Sequence, residues 1–191
     1  GDFYGSGMDT VTIDKRGYDP IKPMLSAIDS IQDVAALVRF AANGVKTNNG
    51  SILSFGVGPD NKNSHLNMAH IYQTGIGMPD RDYYFKSDTL TVAIQTAYKK
   101  YLTSLFTLTG TDAATAANNS TLVYGIDKQL AAVQKTNIEL RYINDNYNKM
   151  PVAILPKKQP INGWLNVLKM FDANTASVDV QQIAYTNKIQ P

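Results

Sequence analysis

Cysteine is absent from this chain, glutamate occurs once, at Glu139, and histidine occurs twice, at His65 and His70. The lack of cysteine excludes disulfide frameworks, thiolate metal sites and cysteine nucleophiles, although it identifies no compartment. The scarcity of glutamate and histidine excludes a zinc helix of the His-Glu-x-x-His kind. That helix needs two histidines four residues apart on one face, with a glutamate base between them. His65 and His70 are five residues apart with no acidic residue between them. They lie where alternation predicts a strand, so they point to opposite faces. His65 reads as exposed near a turn, and His70 as part of the hairpin's polar or packing face. No apolar run is long enough to span a bilayer. An excess of one charge is missing too. The 18 basic and 16 acidic residues leave a net charge of +2, too balanced to imply nucleic acid or a membrane surface. The longest basic runs are the pairs Lys99-Lys100 and Lys157-Lys158, which read as solvated faces.

What remains is a globular composition. At 191 residues and 43% apolar content, the chain can build one domain, or two small ones, around a real core. It opens with Gly1 and reads as a processed or cut-down product, so a missing targeting segment excludes nothing. The first nineteen residues, rich in Gly and Asp, read as an irregular lead-in. Ile21, Met24, Leu25 and Ile28 then recur at helical spacing after Pro20. A second helix follows Asp33, with Val34, Leu37, Val38 and Ala41 on one face, and Asn43-Gly44 should stop it. Ile52 to Val57 reads as a strand, and Gly58-Pro59-Asp60-Asn61 as a turn signal. Leu66, Met68, His70 and Tyr72 alternate as a second strand, giving a β-hairpin with a long loop around residues 60–64.

Residues 75–82 read as irregular. A long helix should start at Ser87 or Asp88 and end at Gly110, with Leu90, Ile94, Ala97, Tyr98, Tyr101, Leu102, Leu105 and Phe106 as its apolar stripe. Another should run from about Asp112 to Lys135, with Leu122, Val123, Ile126, Leu130 and Val133 inward. Gly125 within it suggests close helix packing. Residues 142–150 read as a short helix, 162–171 as a helix carrying Trp164, Leu165 and Leu168, and 178–184 as a short strand. Pro151, Pro156 and Pro160 mark a weak seam. The fold class is mainly α with a small β-hairpin.

Several motifs suggest chemistry and do not complete it. Gly56-Val57-Gly58 and Gly75-Ile76-Gly77 fall short of Gly-x-Gly-x-x-Gly and do not lead from a strand into a helix, so they make no phosphate loop. The run Asp60-Asn61-Lys62-Asn63-Ser64 lacks the glycine and terminal glutamate of a calcium loop, and Lys62 repels a cation. There is no nucleophile elbow and no arguable Ser-His-Asp set. The densest polar-aromatic cluster is Asp80, Arg81, Asp82, Tyr83 and Tyr84 after Pro79. It reads as a capped turn in which Asp80 caps, Arg81 pairs with a carboxylate and the tyrosines pack. A chamber-lining or lobe-contact segment is the functional alternative.

Four segments together resemble one known family. Phe3-Tyr4-Gly5-Ser6-Gly7-Met8-Asp9 is similar to a family motif Phe-Tyr-x-Ser-x-Met-Asp. Phe55 to Ser64, with Asp60, Lys62 and Asn63, resembles the family's strand and Asp-x-Lys-Asn turn. Gln73-Thr74-Gly75-Ile76-Gly77-Met78-Pro79-Asp80-Arg81-Asp82-Tyr83-Tyr84 is the most specific, resembling Gln-x-Gly-Leu-Gly-Leu-Pro-Asp-Arg-Asp-Tyr-Tyr. Leu140-Arg141 with Tyr147-Asn148-Lys149-Met150 resembles Leu-Arg-Asp…Tyr-Asn-Lys-Met. The four lie in register over nearly the whole chain, and Trp164 sits where the family often has its own. The family is the neprilysin-like zinc metallopeptidases, peptidase family M13, in the bacterial oligoendopeptidase-like branch. Two departures bear on local hydrogen bonding: Tyr142 replaces the Asp after Leu-Arg, and Asp127 replaces a Glu before Leu130-Ala131.

The resemblance implies that residues 1–191 belong to the N-terminal, non-catalytic helical lobe of a two-lobed zinc endopeptidase. The zinc helix, the Glu-x-x-x-Asp helix and the Asn-Ala substrate strand lie further toward the C-terminus in that family. This segment would then be scaffold and wall of the substrate chamber, inert alone, with no catalytic, cofactor-binding or metal-binding residue of its own. Zinc is implied only for the full-length parent. The implied partners are the C-terminal catalytic domain and the parent's peptide substrates, with no nucleic acid. Apolar faces left without their cover should form an exposed patch beyond the roughly 300–600 Å² usual for a monomer, or drive self-association. The implied localisation is extracytoplasmic, periplasmic or attached to the cell envelope. The alternative reading is a stand-alone binding or interaction protein derived from such a lobe.

Overall fold

The computed structural model describes residues 1–47, 52, 54–158 and 164–189, excluding the side chain of Lys158. Four helices lead: α1 (Asp2–Met8), α2 (Thr10–Arg16), α3 (Lys22–Asp29) and α4 (Val34–Thr47). The expected irregular lead-in is therefore helical. Asp9 makes the second of these helices possible, its carboxylate accepting from the Thr12 amide at 3.0 Å and the Thr12 hydroxyl at 2.6 Å. Asp33 starts α4 in the same way through the Ala36 amide at 2.7 Å. Asn43-Gly44 does not stop α4, which runs on to Thr47. Burial of Ala41 and Ala42 on the helix's inner face outweighs the roughly 1 kcal/mol propensity cost of a glycine.

Strands β1 (Ser54–Asp60) and β2 (Asn63–Tyr72) form the hairpin. Its connection is a tight Asn61-Lys62 turn, where a long loop around residues 60–64 was expected. The Asp60 carboxylate explains the turn, because it accepts from the Lys62 amide at 2.9 Å and folds the chain locally. Pro59 stays within the strand because β1 lies at a sheet edge, with the register shifting between Pro59 and Asp60.

The chain then forms helices α5 (Thr89–Leu108) and α6 (Ala113–Val133). Asp88 caps the first through the Thr91 amide at 3.0 Å, and Asp112 caps the second through Ala114 and Thr115 at 3.1 Å each. Gly110, at φ +96°, supplies the left-handed turn between them. The expected helix over 142–150 is instead a 3-10 turn, Ile143–Asn146, which follows another at Glu139–Arg141 and leads into β3 (Lys149–Pro151). The Asn146 amide bonds the Glu139 and Tyr142 carbonyls and fixes that irregular path. After α7 (Leu155–Lys158) and α8 (Trp164–Met170) comes β4 (Ser177–Val180), shorter than expected because α9 begins at Ile183. Residues 160 and 162–163 of the expected seam and helix lie outside the described residues.

The hairpin belongs to a four-stranded mixed sheet ordered β1-β2-β4-β3, with β2 and β4 parallel and the other pairs antiparallel. Period-two alternation divides its faces. Ala69, Ile71, Val178 and Val180 pack with Val38, Ala41 and Ala42 of α4, Leu155 of α7, and Trp164, Val167 and Leu168 of α8. Met68, His70, Tyr72 and Asp179 alternate with that apolar set. A second core joins Met78 and Tyr84 to Tyr124 and Ala131 of α6.

Helix faces depart most from expectation. In α6 the buried residues are Ala116, Ser120, Tyr124, Asp127, Leu130 and Ala131, whereas Leu122 is 65% and Ile126 57% exposed. A closely packed helix neighbour selects small side chains, which hydrophobicity does not mark. Ser120 even donates to the Lys99 carbonyl of α5 at 2.8 Å. On α5, Leu90, Tyr101 and Leu105 of the expected stripe are likewise exposed. Gly125 is not a packing contact, since an added Cβ there would meet no atom within 4 Å. Gly125→Ala should therefore raise stability by about 1 kcal/mol in urea unfolding; a loss of stability would show that a partner packs there.

Candidate functional site

The Gly75–Tyr84 segment is held by one carboxylate. Asp127 Oδ2, on α6, accepts from the Tyr84 hydroxyl at 3.0 Å, the Tyr98 hydroxyl at 2.7 Å and the Gly77 amide at 3.3 Å. The Tyr84 hydroxyl also accepts from the amides of Gly77 and Met78 at 3.1 and 3.0 Å. Gly77 is required sterically, because a Cβ there would fall on the Tyr98 hydroxyl. Burial first, and the adjacent Asp127 carboxylate with it, push the Tyr84 and Tyr98 phenols above their ordinary range. Asp80 caps the following 3-10 turn through the Asp82 amide at 2.8 Å, and its other oxygen accepts from Asn137 at 3.1 Å. Arg81 donates chiefly to the Ala131 carbonyl at 3.1 Å, with Asp82 more distant at 3.5 Å. Tyr83 and Pro79 border this turn. Asp80, Asp82, Tyr83, Lys86 and Asp88 line a surface groove of about 310 Å³ beside it.

A second cluster closes the polar face of the sheet. Asp60, at the end of β1, accepts from Lys149 Nζ at 2.7 Å and from the Tyr147 hydroxyl at 2.9 Å. Lys62 Nζ lies over the Tyr147 ring, 4.6 Å from its centroid. Two motifs more than eighty residues apart in the chain are thus one contact in space. The Lys149 ammonium first, then the Lys62 amide, and with them the Tyr147 hydroxyl, hold the Asp60 carboxyl down at about 2. Beneath them His70 Nδ1 stands 3.3 Å from Asp179 Oδ2, and His70 Nε2 stands 3.2 Å from the Pro59 carbonyl. Asp179 Oδ1 accepts from the Asn148 amide at 2.7 Å. Asn63 pairs with Asp60 across the turn, and its side chain accepts from the His65 amide at 3.3 Å. The Gly56-Val57-Gly58 run lies opposite the rings of Tyr72 and His70.

The remaining motif residues are not brought to either cluster. Phe3, Tyr4 and Met8 stand 95%, 71% and 62% exposed on α1, the Ser6 hydroxyl donates to the Phe3 carbonyl of the same helix at 2.8 Å, and Asp9 caps α2. Arg141 is exposed in a 3-10 turn, and Tyr142, the extended residue that follows it, is exposed too.

This arrangement can be placed among known proteins. The N-terminal model of peptidase family M13 matches residues 1–190. The chain belongs to peptidase family M13. Among relatives of the M13 chain, an endothelin-converting enzyme homolog of Locusta migratoria is 25% identical over 117 residues, which are 61% of this chain and 16% of that protein. Zinc metalloprotease Zmp1 of Mycobacterium tuberculosis, in complex with an inhibitor, superimposes with a TM-score of 0.84 at 24% identity, covering 98% of this chain and 29% of that one. PepO of a Lactobacillus superimposes with a TM-score of 0.75 at 15% identity, over 91% of this chain and 28% of that one. The M13 chain therefore spans less than a third of the length of these proteins.

Zmp1 is a zinc metalloprotease, and the described residues of the M13 chain offer zinc no donor set. Among the described residues no group of three or more His, Asp or Glu side chains is placed to hold a metal ion. His65 is exposed, and both nitrogens of His70 face protein oxygens. The residues do not fit the ion, and no reaction step runs through it here.

Sequence reasoning missed the roles of Asp127, Tyr98 and Asp179. Asp127 was visible only as a departure from the family's usual Glu, and Tyr98 only as one of an apolar stripe. Asp179 had a legible signal, an acid between two valines in a predicted strand. Asp127→Ala should cost about 1–3 kcal/mol in denaturant unfolding, because it takes the acceptor from the buried Tyr84 hydroxyl and the half-buried Tyr98 hydroxyl; a cost below about 0.5 kcal/mol would refute the clamp. For Asp60 the folded carboxyl titrates near 2 and an unfolded aspartate near 3.9. Its contribution is thus complete above about pH 4 and lost as pH falls to about 2. Asp60→Asn should remove that part of the acid-unfolding profile, and parallel profiles for the two proteins would contradict the assignment.

Proposed function

We propose that this chain is the N-terminal, non-catalytic lobe segment of a zinc-dependent metalloendopeptidase that hydrolyses peptides. The carrying observation is the family match over residues 1–190, joined to superposition on less than a third of a solved zinc metalloprotease. The segment serves as scaffold and as part of the wall enclosing the peptide substrate. Its partner is the catalytic portion of the same protein, which supplies the zinc site, including the zinc-activated water and glutamate base of such an enzyme. The exposed apolar side chains of α1–α3, none of which contributes a buried residue, support a surface that needs cover from that portion or from a second copy. We place the parent outside the cytoplasm, in the periplasm or on the cell envelope of a bacterium. Among the described residues no helix is long and apolar enough to cross a membrane.

The purified chain with added zinc should show no chelator-sensitive hydrolysis of peptide substrates. A longer polypeptide of the source cells, detected with antibody to this chain, should show it. Zinc-dependent turnover by the chain alone would overturn the inert assignment. A native polypeptide of only 21.0 kDa would overturn the parent enzyme.

A further inference from the structure

Helix α5 packs on α6 and on the 3-10 turn Arg81–Tyr84, and its buried positions are Thr91 and Leu102. A second row of apolar residues is left open. Leu90, Ile94, Ala97, Tyr101, Leu105 and Leu108 follow one another at steps of three and four, the seam spacing of helices that pack side by side. Ile94 is half-buried and reaches the core around Met78 and Tyr84, so the seam continues an existing core. Leu90 and Leu108, at its two ends, are 71% and 72% exposed. Between them the helix rises about 27 Å.

The polar groups beside the seam are already satisfied. The hydroxyls of Thr103, Ser104 and Thr107 donate to the carbonyls of Lys99, Lys100 and Thr103, each at 3.0 Å. Their carbon atoms are left to line a shallow groove of about 520 Å³ with Lys100 and Leu108. A neighbour that covers this groove therefore strands no hydroxyl.

We propose that this seam seats one amphipathic helix of the catalytic portion, as long as the seam itself and acidic along the side that meets Lys100. The proposal rests on the reading of this chain as a lobe segment of a longer peptidase. Charge selects the occupant. Helix α5 carries Lys99 and Lys100 at its midpoint and no acidic residue. Lys99 lies over the Tyr124 ring, whereas among the described residues Lys100 has no carboxylate partner. Two copies of α5 paired about a two-fold axis, parallel or antiparallel, would set Lys100 against Lys100, and like charges so placed repel. A helix with aspartate or glutamate beside its apolar stripe gives Lys100 its counter-charge. Length excludes the chain's own acidic segment. In α1–α3 the aspartates outnumber the basic residues, but these helices have seven, seven and eight residues. Each spans about 12 Å at most, less than half the seam. A protein built like Zmp1, of which the matched segment is 29%, has the remaining length to supply a longer helix.

The chain contains no cysteine, so an introduced thiol reports on its own surroundings. Leu105→Cys and Leu108→Cys are made in this chain and in the longer polypeptide that carries it. Their alkylation by iodoacetamide is followed by mass spectrometry of the α5 peptide. Both thiols should react fast in the chain alone and at least about tenfold more slowly in the longer polypeptide. Equal rates would overturn the seam and leave the parent enzyme standing. A native polypeptide of only 21.0 kDa removes the occupant and overturns both. The partner's charge is read on the same thiols. In the longer polypeptide Lys100→Glu should raise the rate at Leu108→Cys about threefold or more, while Lys100→Arg should not. An unchanged rate in Lys100→Glu overturns the acidic flank. Dimerisation of the chain alone that protects both thiols would give the seam to a second copy and overturn the proposal.

Discussion

Asp179 sits wholly buried in the middle of the sheet, and the polar face of the protein is organised by the need to compensate its charge. An isolated carboxylate away from water is prohibitively costly, so it must gather donors. The Asn148 amide and the His70 ring do this directly. Above them Asp60 brings Lys149 and Tyr147 together and folds the hairpin tip over the pair. The tight Asn61-Lys62 turn, the bulge at Pro59 and the path of β3 all follow from that closure. The opposite face is an ordinary apolar surface of alternating aliphatic residues packed on α4, α7 and α8.

Asp127 does the same work in the helical half. Its single oxygen collects Tyr84, Tyr98 and the Gly77 amide, tying the Gly75–Tyr84 segment to both long helices. The two halves are then joined by amide side chains. Gln73 exchanges bonds with the Lys135 backbone at 2.8 and 2.9 Å, Gln134 donates to the Thr74 carbonyl at 2.7 Å, and Gln182 bridges the Gln73 amide and Asn146 at 2.9 and 3.1 Å. These are directional contacts between neutral groups, suited to fixing orientation.

The family-like motifs divide by their setting. The second and fourth meet at Asp60, and the third closes on Asp127 and Ala131, so all three have structural work within the chain. The first does not. Phe3, Tyr4 and Met8 project from α1 into solvent. Their chemistry is that of a contact, which supports the proposal that this segment packs against a further part of a larger protein.

The sequence by itself determined the helical class, the hairpin, the caps at Asp88 and Asp112, the stop at Gly110 and the family, because these depend on neighbours a few residues apart or on motifs in fixed order. It also determined that no zinc helix can be written with Glu139, His65 and His70. Only the tertiary structure decided which faces of α5 and α6 turn inward, since helix-on-helix contact prefers Ala116 and Ser120 to the larger Leu122 and Ile126. It alone decided that the turn over residues 60–64 is tight, that β3 replaces a helix, and that Asp60 meets Lys149. The reason is physical: a buried charge takes its partners from whatever strand passes beside it, and sequence distance carries no record of that meeting.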